Sequence, residues 1–114
     1  MFPARIIRNH RNDKSRAELR VIMLYVLICT DKKNSEDLRK EVRPEHLNYL
    51  SKFEIKLAGP MLDEDQTTMV GSIILIECQS KDDAEAFAAK DPYNLAGLFE
   101  SVHVSAFRQA IPTT

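Results

Sequence analysis

The chain has 114 residues, 44% hydrophobic and 29% charged, the size and mix of one small globular domain that buries about 65% of its unfolded surface. A formal charge of −1 and a pI near 6.3 exclude bulk attraction to nucleic acid or anionic lipid, and no run approaches the ~18 apolar residues of a membrane span. Neither nucleic acid nor a membrane is expected as a partner.

Charge is uneven along the chain. Residues 1–22 carry Arg5, Arg8, Arg11, Lys14, Arg16 and Arg20 against Asp13 and Glu18, a net +4 that leaves −5 on the remainder of a chain totalling −1. They read as a basic N-terminal extension, with the domain proper starting at Met23 and running to residue 109, and residues 110–114 as a C-terminal tail. The arginines suit a mitochondrial presequence, but Asp13, Glu18 and the single Ser15 weigh against one. A mobile tail, a helix docked on a partner subunit and an upstream start stay open.

The first strand is predicted over residues 24–30, "LYVLICT", ended by the polar "DKKNSED", where Ser35 is placed to cap a short helix through Glu41. Pro44 reads as the first residue of a second helical run to about Glu54, because its fixed φ and missing N–H suit that position. His46 is then the third residue. The spacing His46, Leu50, Phe53, Leu57 aims the imidazole at the inward-turning face. "IKLAGP" (residues 55–60) is a second strand, "MLDEDQTT" a polar hairpin loop and "MVGSIILIEC" (residues 69–78) the most apolar strand. Ser80 begins a capping signature for a helix buried through Ala84, Phe87 and Ala88. Asp91 closes that helix, and Asp91-Pro92 reads as cap and first residue of a further helical turn. A last alternating strand puts Val102, Val104 and Ala106 on one face, His103, Ser105 and Phe107 on the other.

The order β-α-β-β-α-β implies an α+β, ferredoxin-like fold: a four-stranded antiparallel sheet, first and third strands central, helices on one face. Those central strands are apolar at odd and even positions alike, so the face without helices needs a cover. A second copy is the simplest one, making a homodimer or a higher even oligomer the expected state. Antiparallel pairing of the central strands sets Cys29 and Cys78 near opposite ends, out of disulfide reach. Two such buried thiols suit a reducing compartment, the cytoplasm.

Two residues stand out as chemistry. Asp91 continues the stripe Ala84, Phe87, Ala88 and so points at the sheet that receives the His46 face, where an unpaired charge is costly. Taken alone, Asp91 is explained by a cap and His46 by a core or interface histidine; together they form a candidate site. Neither a metal nor a cofactor is expected. His10, His46 and His103 share no ligand spacing with each other or with the cysteines. "DEDQTT" from Asp63 lacks the glycine and glutamate of a calcium loop, and no phosphate-cradling glycine loop or nucleophile elbow occurs.

In order and spacing, "MLYVLICTDK", "RPEHLNYL", "AGPM", "GSIILIE", "KDPYNLAGLFE" and "VHVSAFRQ" resemble the YCII-related (YciI-like) domain family across residues 23–109. The resemblance implies a dimeric α+β barrel, and a His-Asp pair that falls on His46 of "RPEHL" and Asp91 of "KDPY". The family's chemistry is known in a ring-cleavage or dehydrochlorination setting, and the resemblance by itself supplies no one reaction. Two functions follow. In one, His46 is a general acid or base oriented by Asp91, acting on a small enol or hydroxyaromatic compound, with Arg43 or Ser72 steadying an oxyanion. In the other, the pocket only holds a small ligand, or the dimer is an accessory subunit without turnover. A dyad at hydrogen-bond distance beside an open pocket favours the first; a histidine satisfied in a closed core favours the second.

Overall fold

The structure, a computed structural model, describes residues 5–8 and 19–113, with side chains from Ile22 onward. Its elements in chain order are β1 (Arg5–Arg8), β2 (Leu19–Asp31), α1 (Glu36–Leu50), β3 (Ile55–Leu62), β4 (Met69–Cys78), α2 (Lys81–Ala89), α3 (Pro92–Leu95) and β5 (Phe99–Phe107). From β2 onward this is the expected β-α-β-β-α-β, with one extra turn of helix. The sheet runs β3-β4-β2-β5, every pairing antiparallel, so the first and third strands of the motif are central. It is a ferredoxin-like α+β fold.

The register explains the core. Leu27 pairs with Ile74 on one side and Val104 on the other, and alternation carries Tyr25, Cys29 and Ile76 onto the same face. That face meets Val42 and Leu50 of α1 and Ala84, Phe87 and Ala88 of α2 in one buried cluster. Fully burying each of the larger ones, Val42, Leu50 and Phe87, stabilises the fold by about 1.5–3 kcal/mol. The opposite face stays open around the paired Ile28 and Ile73, 38% and 37% exposed, with Leu57 and Phe107 also exposed. Met23 pairs with Cys78 while Cys29 pairs with Ser72, and both thiols are free. Six residues of strand, about 20 Å, separate the two cysteines along the sheet.

Three local expectations are corrected. The first strand is longer than residues 24–30: it begins at Leu19, where Arg5–Arg8 supplies a ladder partner from Arg5↔Ile22 to Arg8↔Leu19. Most of the segment on which the presequence, tail and docked-helix readings rest lies outside the described residues. Second, the two helical runs before β3 are one. Pro44 lies inside α1, not at its start, and His46 is in the second half. Arg39, Val42, His46 and Leu50 are buried at spacings of three and four, and burial of that continuous face carries the helix through the proline. Third, the helix ends at Leu50, so Phe53 and Leu57 do not extend its buried face; both are exposed.

The helix ends behave as their residues suggest, with one exception. Ser80 Oγ accepts from the Asp83 amide at 3.1 Å, as an N-cap should. Ser35 precedes α1 but makes no capping bond, donating instead to the Lys33 carbonyl at 3.2 Å. Glu36 in the first turn accepts from the Met69 amide at 3.0 Å, which ties the start of α1 to the start of β4.

Candidate active site

The stretch "DPYNLAGLF" builds one wall of the site. Asp91 caps α3 by accepting from the Tyr93 amide at 2.9 Å, with Pro92 at the first helical position. The turn closes with Gly97 at φ +80, where the Gly97 amide bonds Asn94 O and the Leu98 amide bonds Tyr93 O. This is the pair of bonds of a Schellman motif, which needs a left-handed residue that glycine adopts without strain. Two ends so fixed leave Asp91 and Tyr93 only 1% exposed beneath α1.

Across from that wall, α1 presents His46, 6% exposed. Its Nδ1 lies 2.8 Å from Asp91 Oδ1. An ionised carboxylate only accepts, so Nδ1 carries the proton and Nε2 is left as the basic nitrogen. The Tyr93 ring stacks on the imidazole, centroids 3.8 Å apart and planes 14° from parallel, fixing the ring plane as well as its edge. His46 stands one turn before the C-terminus of α1, the helix end whose dipole favours a cation.

A second buried network adjoins the first. Arg39, two turns before His46 on α1, donates from Nε to Asp31 Oδ2 at 2.7 Å and from Nη2 to Asp31 Oδ1 at 2.9 Å. The same Nη2 donates to Ser72 Oγ at 2.8 Å. The guanidinium also lies over Tyr93, 4.6 Å from its centroid, in cation–π range. Burial opposes its charge, but the hydrogen bond and charge of Asp31 prevail and raise its pKa further. Burial likewise lifts the Tyr93 phenol above its usual range, with Arg39 and Arg43 pulling the other way.

Between α1 and the β3–β4 edge of the sheet is a cavity of about 110 Å³. His46, Tyr93, Arg39, Arg43 and Ser72 supply its polar lining, and Leu47, Leu50, Ala58, Pro60 and Ile74 its apolar walls. That volume suits a single small ring more than a nucleotide or cofactor, whose pockets run to about 300 Å³ and beyond. Among the larger depressions, two are less equipped. One of about 380 Å³ between α2 and β5 is lined by Lys81, Glu85 and the exposed His103, with no buried ion pair. One of about 460 Å³ reaches Asp31, whose two oxygens are already held by Arg39.

Of the four residues singled out from the sequence, His46, Arg43 and Ser72 line this cavity; Asp91 does not line it and reaches it through its contact with His46. Arg39, Asp31 and Tyr93 were not singled out. Arg39 precedes His46 by seven residues, a helical spacing that places both on one face. Tyr93 follows the Asp91-Pro92 cap directly, so its placement with Asp91 was readable.

Comparison with known proteins agrees with this architecture. The YCII-related domain matches residues 23–108. Protein YciI of Escherichia coli O6:H1 is 36% identical over 96 residues, covering 76% of this chain and 98% of that protein. Among solved structures, 5-chloro-2-hydroxyhydroquinone dehydrochlorinase of Burkholderia phenoliruptrix, in complex with 2,5-dihydroxybenzoquinone, is 30% identical with a TM-score of 0.71. That match covers 77% of this chain and 96% of the other. An antibiotic biosynthesis monooxygenase-like protein of Nitrosomonas europaea, 13% identical with a TM-score of 0.50 over 82% of this chain and 94% of the other, shares the fold alone. With its family match spanning nearly all of β2 through β5, the chain belongs to the YCII-related domain family.

Proposed function

We propose that the cavity is an acid–base site acting on a small enol or hydroxylated ring compound. The observation that carries this is the 2.8 Å contact between His46 Nδ1, at the wall of the cavity, and the buried Asp91 Oδ1. In this reading His46 Nε2 takes a proton from the substrate, and Asp91 fixes the tautomer and stabilises the imidazolium. The electron pair left behind moves through the ring system. It either accepts a proton elsewhere, completing an isomerisation, or expels chloride, completing an elimination. Arg43 and Ser72 hold the oxygen on which negative charge develops. The likeness to a dehydrochlorinase supports the elimination form.

The same reading makes the protein a cytoplasmic homodimer. Two free thiols and the exposed apolar face around Ile28 and Ile73 support it. Among the described residues, no helix is long and apolar enough to cross a membrane.

The test is chloride release from 5-chloro-2-hydroxyhydroquinone, together with binding of 2,5-dihydroxybenzoquinone followed by absorbance. Release by the native protein that is lost in His46→Ala, with binding kept, supports the acid–base reading. Binding by both without any release favours the non-catalytic small-ligand or accessory module.

A further inference from the structure

We infer that Arg39, locked by Asp31, is a positioning residue that aims the Ser72 hydroxyl proton into the cavity, so that Ser72 is a preset donor to an anionic oxygen of the ligand. The inference rests on the cavity being the ligand site.

A serine hydroxyl has one proton and two lone pairs. Arg39 Nη2 donates to one lone pair of Ser72 Oγ at 2.8 Å, and a guanidinium has nothing that can accept. The Ser72 proton therefore points away from Arg39. Among the described residues Ser72 Oγ has no acceptor for it. Ser72 is 2% exposed and lines the cavity, so the free direction is towards a ligand. A cationic donor on the oxygen also polarises the O–H bond and strengthens its own donation.

Asp31 makes the arrangement rigid. It holds the guanidinium through two nitrogens, at 2.7 and 2.9 Å, and Tyr93 lies against the guanidinium plane. A lysine at this position carries the charge but lacks the planar fork that reaches Asp31 and Ser72 at once. The ligand chemistry follows from the lining. Arg43 and Ser72 offer donors, while Asp31 is held by Arg39 and Asp91 by His46 and the Tyr93 amide. A ring carrying a phenolate or enolate oxygen matches such a lining; its neutral ether counterpart does not.

The test uses full-length protein and two ring compounds, 2,5-dihydroxybenzoquinone, which is ionised near neutral pH, and neutral 2,5-dimethoxybenzoquinone. Affinities are read by absorbance titration. Ser72→Ala is expected to weaken binding of the ionised compound by about tenfold to a hundredfold, the range for a hydrogen bond to a charged group. Arg39→Lys is expected to weaken it by a similar factor. Because one acts through the other, the double variant should bind no more weakly than the worse single variant, and the dimethoxy compound should show none of these losses. Multiplying losses in the double variant, or equal losses for both compounds, would overturn the inference and leave Arg39 a structural residue. If Arg39→Lys does not fold, Asp31→Asn loosens the same guanidinium and must lower the preference for the ionised compound; an unchanged preference overturns the inference. Native protein that binds neither compound removes the ligand site and this inference together. Ser72–Arg39 coupling without any turnover leaves the inference standing and rejects only the acid–base reading.

Discussion

One oxygen of Asp91 holds His46 in place: Asp91 Oδ1 lies 2.8 Å from His46 Nδ1 while also accepting from the Tyr93 amide at 2.9 Å. The residue is both helix cap and dyad partner. Substitutions separate the two roles, because asparagine caps a helix nearly as well as aspartate but carries no charge to stabilise an imidazolium. Asp91→Asn is expected to change stability by less than about 1 kcal/mol in urea denaturation. Asp91→Ala, which loses the cap and leaves His46 without its partner, should cost about 2 kcal/mol or more. Nitrogen-15 spectra of the His46 ring provide the second readout: the native protein should show the Nδ1–H tautomer and Asp91→Ala should not.

Pro44 sits in the interior of α1, where a missing N–H and a ring clash cost about 3 kcal/mol relative to alanine. Proline also stiffens the unfolded chain, which returns about 0.4–1 kcal/mol. Pro44→Ala should therefore stabilise the protein by about 2 kcal/mol, measured as a raised urea midpoint. A lowered midpoint would mean that the proline ring at residue 44 is needed for the packing of His46 and Leu50.

Gly71 precedes Ser72 on β4 and has no room for a side chain. A Cβ there would run into the Cys29 carbonyl oxygen, which belongs to the central strand β2, as well as the Met61 side chain. Methionine can move; backbone in a ladder cannot. Gly71→Ala is expected to cost about 2–3 kcal/mol, in the range of overpacked cores, and to disturb the neighbouring Ser72. Gly59, where an added Cβ meets nothing within 4 Å, is the control: Gly59→Ala should stay within about 1 kcal/mol of native.

Burial, reinforced by the charge of Asp91, pushes the Cys29 thiol from its usual 9.0 to about 12. A raised folded value means that the folded state keeps a proton the unfolded state releases. Its contribution is complete below about pH 9 and is lost as pH rises from there towards 12. A three-unit difference corresponds to at most about 4 kcal/mol. Urea midpoints measured from pH 8 to 10.5 should fall, and fall less steeply in Cys29→Ala. At pH 8 the native protein should also react slowly with a disulfide reagent, since burial raises the half-buried Cys78 as well, to about 11.

Ile28 and Ile73 face each other across β2 and β4 on the side of the sheet that carries none of the described helices. With a second copy covering that side, sedimentation should give a dimer at micromolar concentration. Ile28→Lys/Ile73→Lys should shift it to monomer, while keeping the circular dichroism of the fold. A native monomer at that concentration would leave the apolar face to another partner.

Much of this protein is written locally in its sequence. Continuous apolar runs in residues 24–30 and 69–78 determine two strands apolar on both faces, and Ser80 and Asp91-Pro92 mark helix starts through bonds only a few residues long. The meeting of His46 with Asp91 was also readable, because each lies on a stripe aimed at one sheet. Tertiary structure decided the rest. Whether Pro44 starts or interrupts a helix depends on burial of the face Arg39, Val42, His46 and Leu50, and a periodicity of apolar residues counts Arg39 as solvent-facing. Arg39 is buried only because Asp31 and Ser72, far apart in the chain, converge on it where β2 pairs with β4 and α1 packs across them. Buried charge requires a partner, and partners that come from two separate strands exist only once the sheet has set their register.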